Sequence, residues 1–287
     1  MKYLQLVLIC LFLFATENTY CQNNEVNIET TKLSNNVYML VGQGGNIGVS
    51  AGDDGVFIID DQFARLTPKI IEAIKAISDK PFQFLVNTHY HGDHTGGNEN
   101  MTKQGVKIIA HENVRKRLID GESSKEALPI ITFNDRVNVH MNGEDVKVYH
   151  VEHAHTDGDA LLYFTKSNVL HTGDTYFKSR YPFIDLKSGG SIDGYINAVK
   201  KGLSLVNDNT KIIPGHGAVS NKAEYASFLV MLENLKANVQ AEIDKGKTED
   251  EVAANGAITK QYDDLDYGSG FINSERIRRT IYQSLKH

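Results

Sequence analysis

Phe84-Leu85-Val86-Asn87-Thr88-His89-Tyr90-His91-Gly92-Asp93-His94 begins as an apolar strand and ends in a cluster of histidines and an aspartate. Residues two apart on extended backbone point to the same side, so His89 and His91 form one donor pair. Gly92 permits a sharp turn, after which Asp93 and His94 form a second pair aimed at a neighbouring point. Two pairs from one loop imply two cations rather than one. Burying unpaired charge is so unfavourable that a purely structural role explains such a cluster poorly.

The same pattern recurs further along the chain. The apolar run at residues 146–151 leads into His153-Ala154-His155, Val169-Leu170-His171-Thr172-Gly173 into Asp174, and Lys211-Ile212-Ile213-Pro214-Gly215 into His216. If these strands share a direction, the groups emerge at one sheet edge, where α/β architectures place their sites. Imidazoles and carboxylates converging there need positive charge between them, and that donor set suits zinc. The only cysteines are Cys10 and Cys21, so the body of the chain has no thiolate to offer a metal and no internal disulfide. His140 and His150 read as hydrogen-bonded structural residues.

The stretch Thr88-His89-Tyr90-His91-Gly92-Asp93-His94-Thr95-Gly96-Gly97-Asn98 resembles the signature of the metallo-β-lactamase superfamily, and the later loops match that family's motifs in order. The likeness runs from about Asn35 to His216. It implies an α/β fold, a four-layered αβ/βα sandwich, with a metal site at the edge between the two sheets. By position it implies that His89, His91 and His155 bind one metal, that Asp93, His94 and His216 bind a second, and that Asp174 bridges both. His153 competes with His155 for the third place, and His155 is preferred because it precedes Thr156-Asp157-Gly158-Asp159. Asp60 resembles a position that supports a ligand histidine from behind.

The implied cofactor is zinc, two ions per chain, acting on a small-molecule substrate. Such a pair lowers the pKa of a bridging water toward about 7 and polarises an acyl oxygen. Asp93, the catalytic candidate, orients that water or passes on its proton. The best-known lactamases carry Cys or Ser where this chain has Asp174, and an Asp there resembles glyoxalase II and lactonases. The expected activity is hydrolysis of a β-lactam, lactone or similar ring. Thioester hydrolysis of the glyoxalase II type and an iron-dependent redox activity are the alternatives. A closed structural zinc site usually has four ligands, often Cys, and fits this set poorly.

The 287 residues carry a net charge of −6 and no long basic run, which argues against nucleic acid or an anionic membrane as main partner. Lys2 followed by an apolar stretch at residues 4–15 reads as a cleavable export signal over residues 1–21, giving a periplasmic or secreted protein. A lipid anchor on Cys21 is the rival reading, although Tyr20 suits it poorly. Residues 22–287 are expected to form a single hydrolase domain with C-terminal helices from about 222. Helices are expected at 66–78, 112–120, 192–206, 222–245 and 274–285, the last capped by Ser274. Residues 42–48 form either a flap over the site or a plain hairpin turn. Lys178 and Arg180 are candidates to bind a substrate carboxylate, against ordinary surface solvation. The stretch 267–272 is expected to pack on the core.

Overall fold

The computed structural model describes residues 26–286, so the export signal expected at residues 1–21 and the anchor site at Cys21 lie outside the described residues. A seven-stranded sheet takes β1 (Glu29–Lys32), β2 (Val37–Val41), β3 (Ile47–Gly52), β4 (Gly55–Ile59), β5 (Phe82–Val86), β6 (Lys107–His111) and β7 (Ile131–Phe133) in sequence order. Its first four strands pair antiparallel, and β4 to β7 run parallel. Parallel neighbours need crossovers, and these hold α1 (Thr67–Ile77), α2 (Gly92–Thr95), α3 (Asn98–Thr102) and α4 (Glu112–Asp120).

The second sheet has five strands: β8 (Arg136–Met141), β9 (Glu144–His150), β10 (Ala160–Phe164), β11 (Val169–His171) and β12 (Lys211–Ile213). The first four pair antiparallel, and β11 runs parallel to β12 across α5 (Ile192–Leu205). Helices α6 (Lys222–Asp244), α7 (Glu249–Ala254), α8 (Lys260–Asp263) and α9 (Ser274–Lys286) follow. Antiparallel alternation gives β9, β11 and β12 one direction, so the loops bearing His155, Asp174 and His216 leave the sheet at one edge.

Side-chain alternation explains the layering. Val56 and Ile58 of β4 face outward and pack with Ile70 and Ile74 of α1. Phe57 and Ile59 face inward and meet Val148, Leu162 and Phe164 of the second sheet. The far face of that sheet, through Leu161, Leu170 and Ile212, is covered by Tyr195, Phe228 and Ile281 from α5, α6 and α9. Helices, sheet, sheet and helices are the four layers expected.

Two details differ from the sequence reading. The cap of α9 is Asn273, whose Oδ1 accepts from the Arg276 amide at 2.8 Å. Ser274 already lies in the helix, and its hydroxyl donates to Asp263 Oδ1 at 2.5 Å. Strands β1, β6, β7 and β8 were not expected. The first three are short or carry little periodic signal, whereas β8 does alternate, Val137, Val139 and Met141 with Arg136, Asn138 and His140, and that signal was missed.

Phe164 meets Phe57 edge-on across the two sheets, with centroids 6.1 Å apart. Phe164→Ala is expected to cost about 3–5 kcal/mol by opening a cavity between them. Urea denaturation checks this, and an unchanged midpoint would show that the inter-sheet layer does not depend on the contact.

Candidate metal centre

Strand β5 stops at Val86, and the next residues carry His89, His91, Asp93 and His94 into the edge where the second sheet delivers His155, Asp174 and His216. All these candidates converge. Ligand-type atoms of His89, His91 and His155 lie within 4.8 Å of one another, as do those of His89, His94 and Asp174, and those of Asp93, His94 and His216. Asp174 sits at the junction, with Oδ1 3.0 Å from His94 Nε2 and Oδ2 3.4 Å from His216 Nε2 and 3.6 Å from His155 Nε2. His153 stays outside the cluster, its Nδ1 bonded to the Gly189 carbonyl.

The buried atoms His89 Nε2, His94 Nε2 and Asp174 Oδ1 make no well-aligned hydrogen bond, although His94 Nε2 and Asp174 Oδ1 face each other at 3.0 Å. Buried polar atoms are nearly always satisfied, and three orphans facing one another fit cations between them.

The rear of four rings is held. His94 Nδ1 lies 2.7 Å from Asp60 Oδ2, and the same carboxylate accepts from the Thr88 hydroxyl, which touches His89 Nδ1 at 3.1 Å. Asp60 and Gln62 adopt left-handed backbone with φ of 60° and 57°. Such strain costs of order 1 kcal/mol per residue and is held by hydrogen bonds from Asp60 N to Val86 O and from Asp61 N to His94 O. His155 Nδ1 lies 2.7 Å from the Phe183 carbonyl oxygen. His91 presents Nδ1 to His155 Nε2 at 2.8 Å and turns Nε2 toward Asp185 Oδ2 at 3.1 Å.

Sequence reasoning missed Asp185. It stands alone in an aperiodic loop, and only the fold brings it to His91 and to the Tyr90 hydroxyl. Gly45 was missed as well. Its position lies against the His94 ring, so a Cβ there would fall on the imidazole. Residues 42–48 form the hairpin turn rather than a loose flap, because Gly45 N donates to Asp93 O at 3.0 Å and Gln62 Nε2 to Gly45 O at 2.6 Å.

Without a cation, protons supply the positive charge. Burial works against charge on His94, yet the carboxylates of Asp174 and Asp60 hold its pKa well above the ordinary 6.5. Burial likewise opposes charge on His216, but Asp174 and Asp93 push it up to about 9. Burial and the neighbouring His94 drive His89 well below the ordinary value. Burial takes His155 down to about 4 against the pull of Asp174. Burial would raise Asp174, but His94 and His216 hold it well below the usual carboxylate range.

A cavity of about 440 Å³ opens over His91, Asp93, Asp174 and His216. Its walls are largely aromatic, with Phe63, Phe177, Phe183 and Phe271, and Arg180 is its cation. Lys178 does not reach it as expected. Its ammonium donates to the Val219 carbonyl and to Glu224 Oε2, both at 2.9 Å, so it ties the loop to α6. Arg180 is exposed and makes no ion pair among the described residues.

The family model described as the Metallo-beta-lactamase superfamily matches residues 30–216. The chain is 25% identical over 223 residues to the hydroxyacylglutathione hydrolase of Pelagibacter ubique (strain HTCC1062), a match spanning 75% of this chain and 81% of that one. It spans about half to two thirds of the length of other hydroxyacylglutathione hydrolases that it matches. Metallo-beta-lactamase type 2 of Bacillus sp. (strain 170) is 23% identical over 185 residues, covering 62% of this chain and 69% of that one. In fold, the chain is similar to the solved metallo-beta-lactamase from Pontibacter korlensis, with a TM-score of 0.65, 19% identity, and 72% and 100% of the two chains covered.

Two outcomes test the centre. Gly45→Ala is expected to displace His94 and lower zinc affinity at least about tenfold, the size of losing a ligand's support. A competition titration with a chromogenic chelator reads it, and unchanged affinity would free His94 from dependence on the turn. Because neighbouring carboxylates hold His94 and His216 above the ordinary histidine value in the metal-free form, loading zinc is expected to release protons from these rings. Calorimetry in buffers of different ionisation enthalpy measures the release, and no release would mean neutral rings.

Proposed function

The chain belongs to the metallo-β-lactamase superfamily, and we propose that it is an exported dinuclear zinc hydrolase acting on the acyl bond of a small anionic compound, a β-lactam, lactone or similar ring. The observation that carries this reading is the set of orphaned buried atoms on His89, His94 and Asp174 beneath an open cavity. His89, His91 and His155 would hold one cation, Asp93, His94 and His216 a second, and Asp174 both. A cation pair supplies a water of lowered pKa and a polarised acyl oxygen. The donor set of imidazoles and carboxylates suits zinc.

The chain's own groups do the rest. Asp93 is the partly exposed carboxylate of the cluster, with Oδ2 3.3 Å from His216 Nε2. Burial raises its pKa, but His216 and His94 outweigh that in the metal-free chain, and a cation held beside it would keep it ionised in their place, able to take a proton from the attacking water. It can return that proton to the leaving group. Asp60, Asp185 and the Phe183 carbonyl fix the rings, so little reorganisation is left for the reaction. Phe177 stacks on His216 with centroids 5.1 Å apart and keeps that side dry. Arg180 offers a cation to a substrate carboxylate. The apolar stretch ahead of Cys21 supports export, which would place the substrate in the periplasm or outside the cell. A thioester substrate is the second reading, favoured by Asp174 at the bridging place and by the hydroxyacylglutathione hydrolase relative.

Mass spectrometry of purified protein should find two zinc ions per chain, and turnover should be lost on chelation. Nitrocefin, a lactone and a thioester assayed together separate the ring and thioester readings. Iron in place of zinc would sink the hydrolytic reading in favour of redox chemistry. Arg180→Ala is expected to raise KM for anionic substrates about tenfold with little change in kcat, the size of one charge-assisted hydrogen bond. Lys178→Ala should leave KM alone, and the reverse result would exchange their roles.

A further inference from the structure

The family match ends at residue 216, yet one wall of the cavity comes from beyond it: Phe271 and Ile272 stand with Phe63, Phe177 and Phe183 around the opening. We propose that this late segment is the specificity wall of the site, and that the substrate's acyl group carries an aromatic or similarly flat apolar substituent seated against Phe271 and Phe183. The inference rests on the acyl-hydrolase reading and adds the class of substrate.

Phe271 is 74% exposed, although its surroundings are firmly anchored. Ile272, next in the chain, is buried in the core. Upstream, the Tyr267 carbonyl accepts from Tyr181 N, and downstream Asn273 caps α9. The ring itself is held from the side. Its plane meets Phe183 at 87° with centroids 5.6 Å apart, and the Arg276 guanidinium lies 4.7 Å from the Phe271 centroid and 5.3 Å from that of Phe183. A guanidinium over aromatic faces orients them at little cost.

Phe183 then links the wall to the centre. Its ring stacks on His91 at 5.8 Å and 20°, and its carbonyl oxygen takes the rear of His155. A second guanidinium-backed ring, Phe63 with Arg65 at 4.6 Å, lines the same cavity from the first sheet. Single exposed apolar side chains are ordinary on a surface. A fixed, exposed ring among other rings above a candidate catalytic centre is different, because it presents apolar area that only a ligand can bury. Aromatic walls of this kind favour a flat partner through edge-to-face and offset packing.

The test uses the full chain as purified, with phenylacetate and acetate as probes of the acyl-product half of the site. Calorimetry is expected to show phenylacetate binding at least about tenfold tighter than acetate, as one extra apolar group in a pocket provides. Phe271→Ala should bring the two within about threefold while Phe271→Tyr, which keeps the ring, retains the preference. Arg276→Gln should lower the preference part-way, since the ring loses its clamp. Equal binding of the two probes by the wild type, or an undiminished preference in Phe271→Ala, would overturn the proposal. Turnover of phenylacetyl and acetyl thioesters is followed alongside. Ring-selective binding with no turnover of these thioesters, nitrocefin or a lactone would uphold the wall and remove the hydrolase reading, whereas unselective turnover would do the opposite.

Discussion

A carboxylate buried where two sheets meet sets the terms for the rest of the molecule. Asp174 is 5% exposed and faces His89, His94, His155 and His216. Taking such a charge out of water is costly unless positive charge lies beside it. Imidazolium protons do this in the metal-free chain, and cations would do it better because they also satisfy the atoms left without hydrogen bonds. The fold serves that balance. Parallel β11 and β12 bring Asp174 and His216 out side by side, and β9 delivers His155 in the same direction. Gly215 lies so close to Asp174 that any side chain there would meet the carboxylate.

Rigidity around this charge is built from groups that touch neither substrate nor cation. Asp60 accepts left-handed backbone so that one carboxylate can steady His94 and, through Thr88, His89. The strain is tolerable because the end of β5 binds Asp60 through Val86 and α2 binds Asp61 through His94. A second brace sits on the other flank. Asp185 holds His91 and Tyr90, while Tyr90 is covered by Arg117, itself paired with Asp157 at 2.6 Å. In His89, His91, His94 and His155 the ring nitrogen aimed inward is therefore fixed by what the other nitrogen meets.

The residues that gather at the centre were legible in the sequence because their information is local. A strand that ends in His-x-His-x-Asp-His carries chemistry and spacing together, and the later loops repeat the form. The four-layered fold was implied by the family resemblance of those motifs, and alternate residues of the wholly apolar β4 and β10 do face different cores. What was not legible depends on where loops travel. Lys178 looked like a substrate cation by its place after Asp174, but its partner Glu224 is 46 residues away on α6. Asp185 carries no local signal, and the Gly-rich run around Gly45 signals a turn but not its contact with the site. One needs the position of His91, and the other needs the His94 ring that presses against it. The cap of α9 failed for a smaller reason, since two adjacent polar residues both suit the role and Asp263 captured Ser274.

Reaction type and substrate choice then reside in separate parts of the chain. The candidate ligands lie within a few ångströms of one another, so changing one disturbs the charge balance of all. The cavity walls are free of that constraint. Arg180 lies in the loop after Asp174, Phe63 follows β4, and Phe271 arrives on a segment anchored by Ile272 and α9. Side chains there can change without touching Asp174 or its imidazoles, because the anchors bury other residues. Phe177 and Phe183 are the exceptions, since their rings stack on His216 and His91. The Phe183 carbonyl also steadies His155, a backbone contact that any side chain at that position preserves. A site divided in this way can keep one reaction while its substrate changes, and that is the physical reason a chain so clearly of one family identifies its chemistry more readily than its substrate.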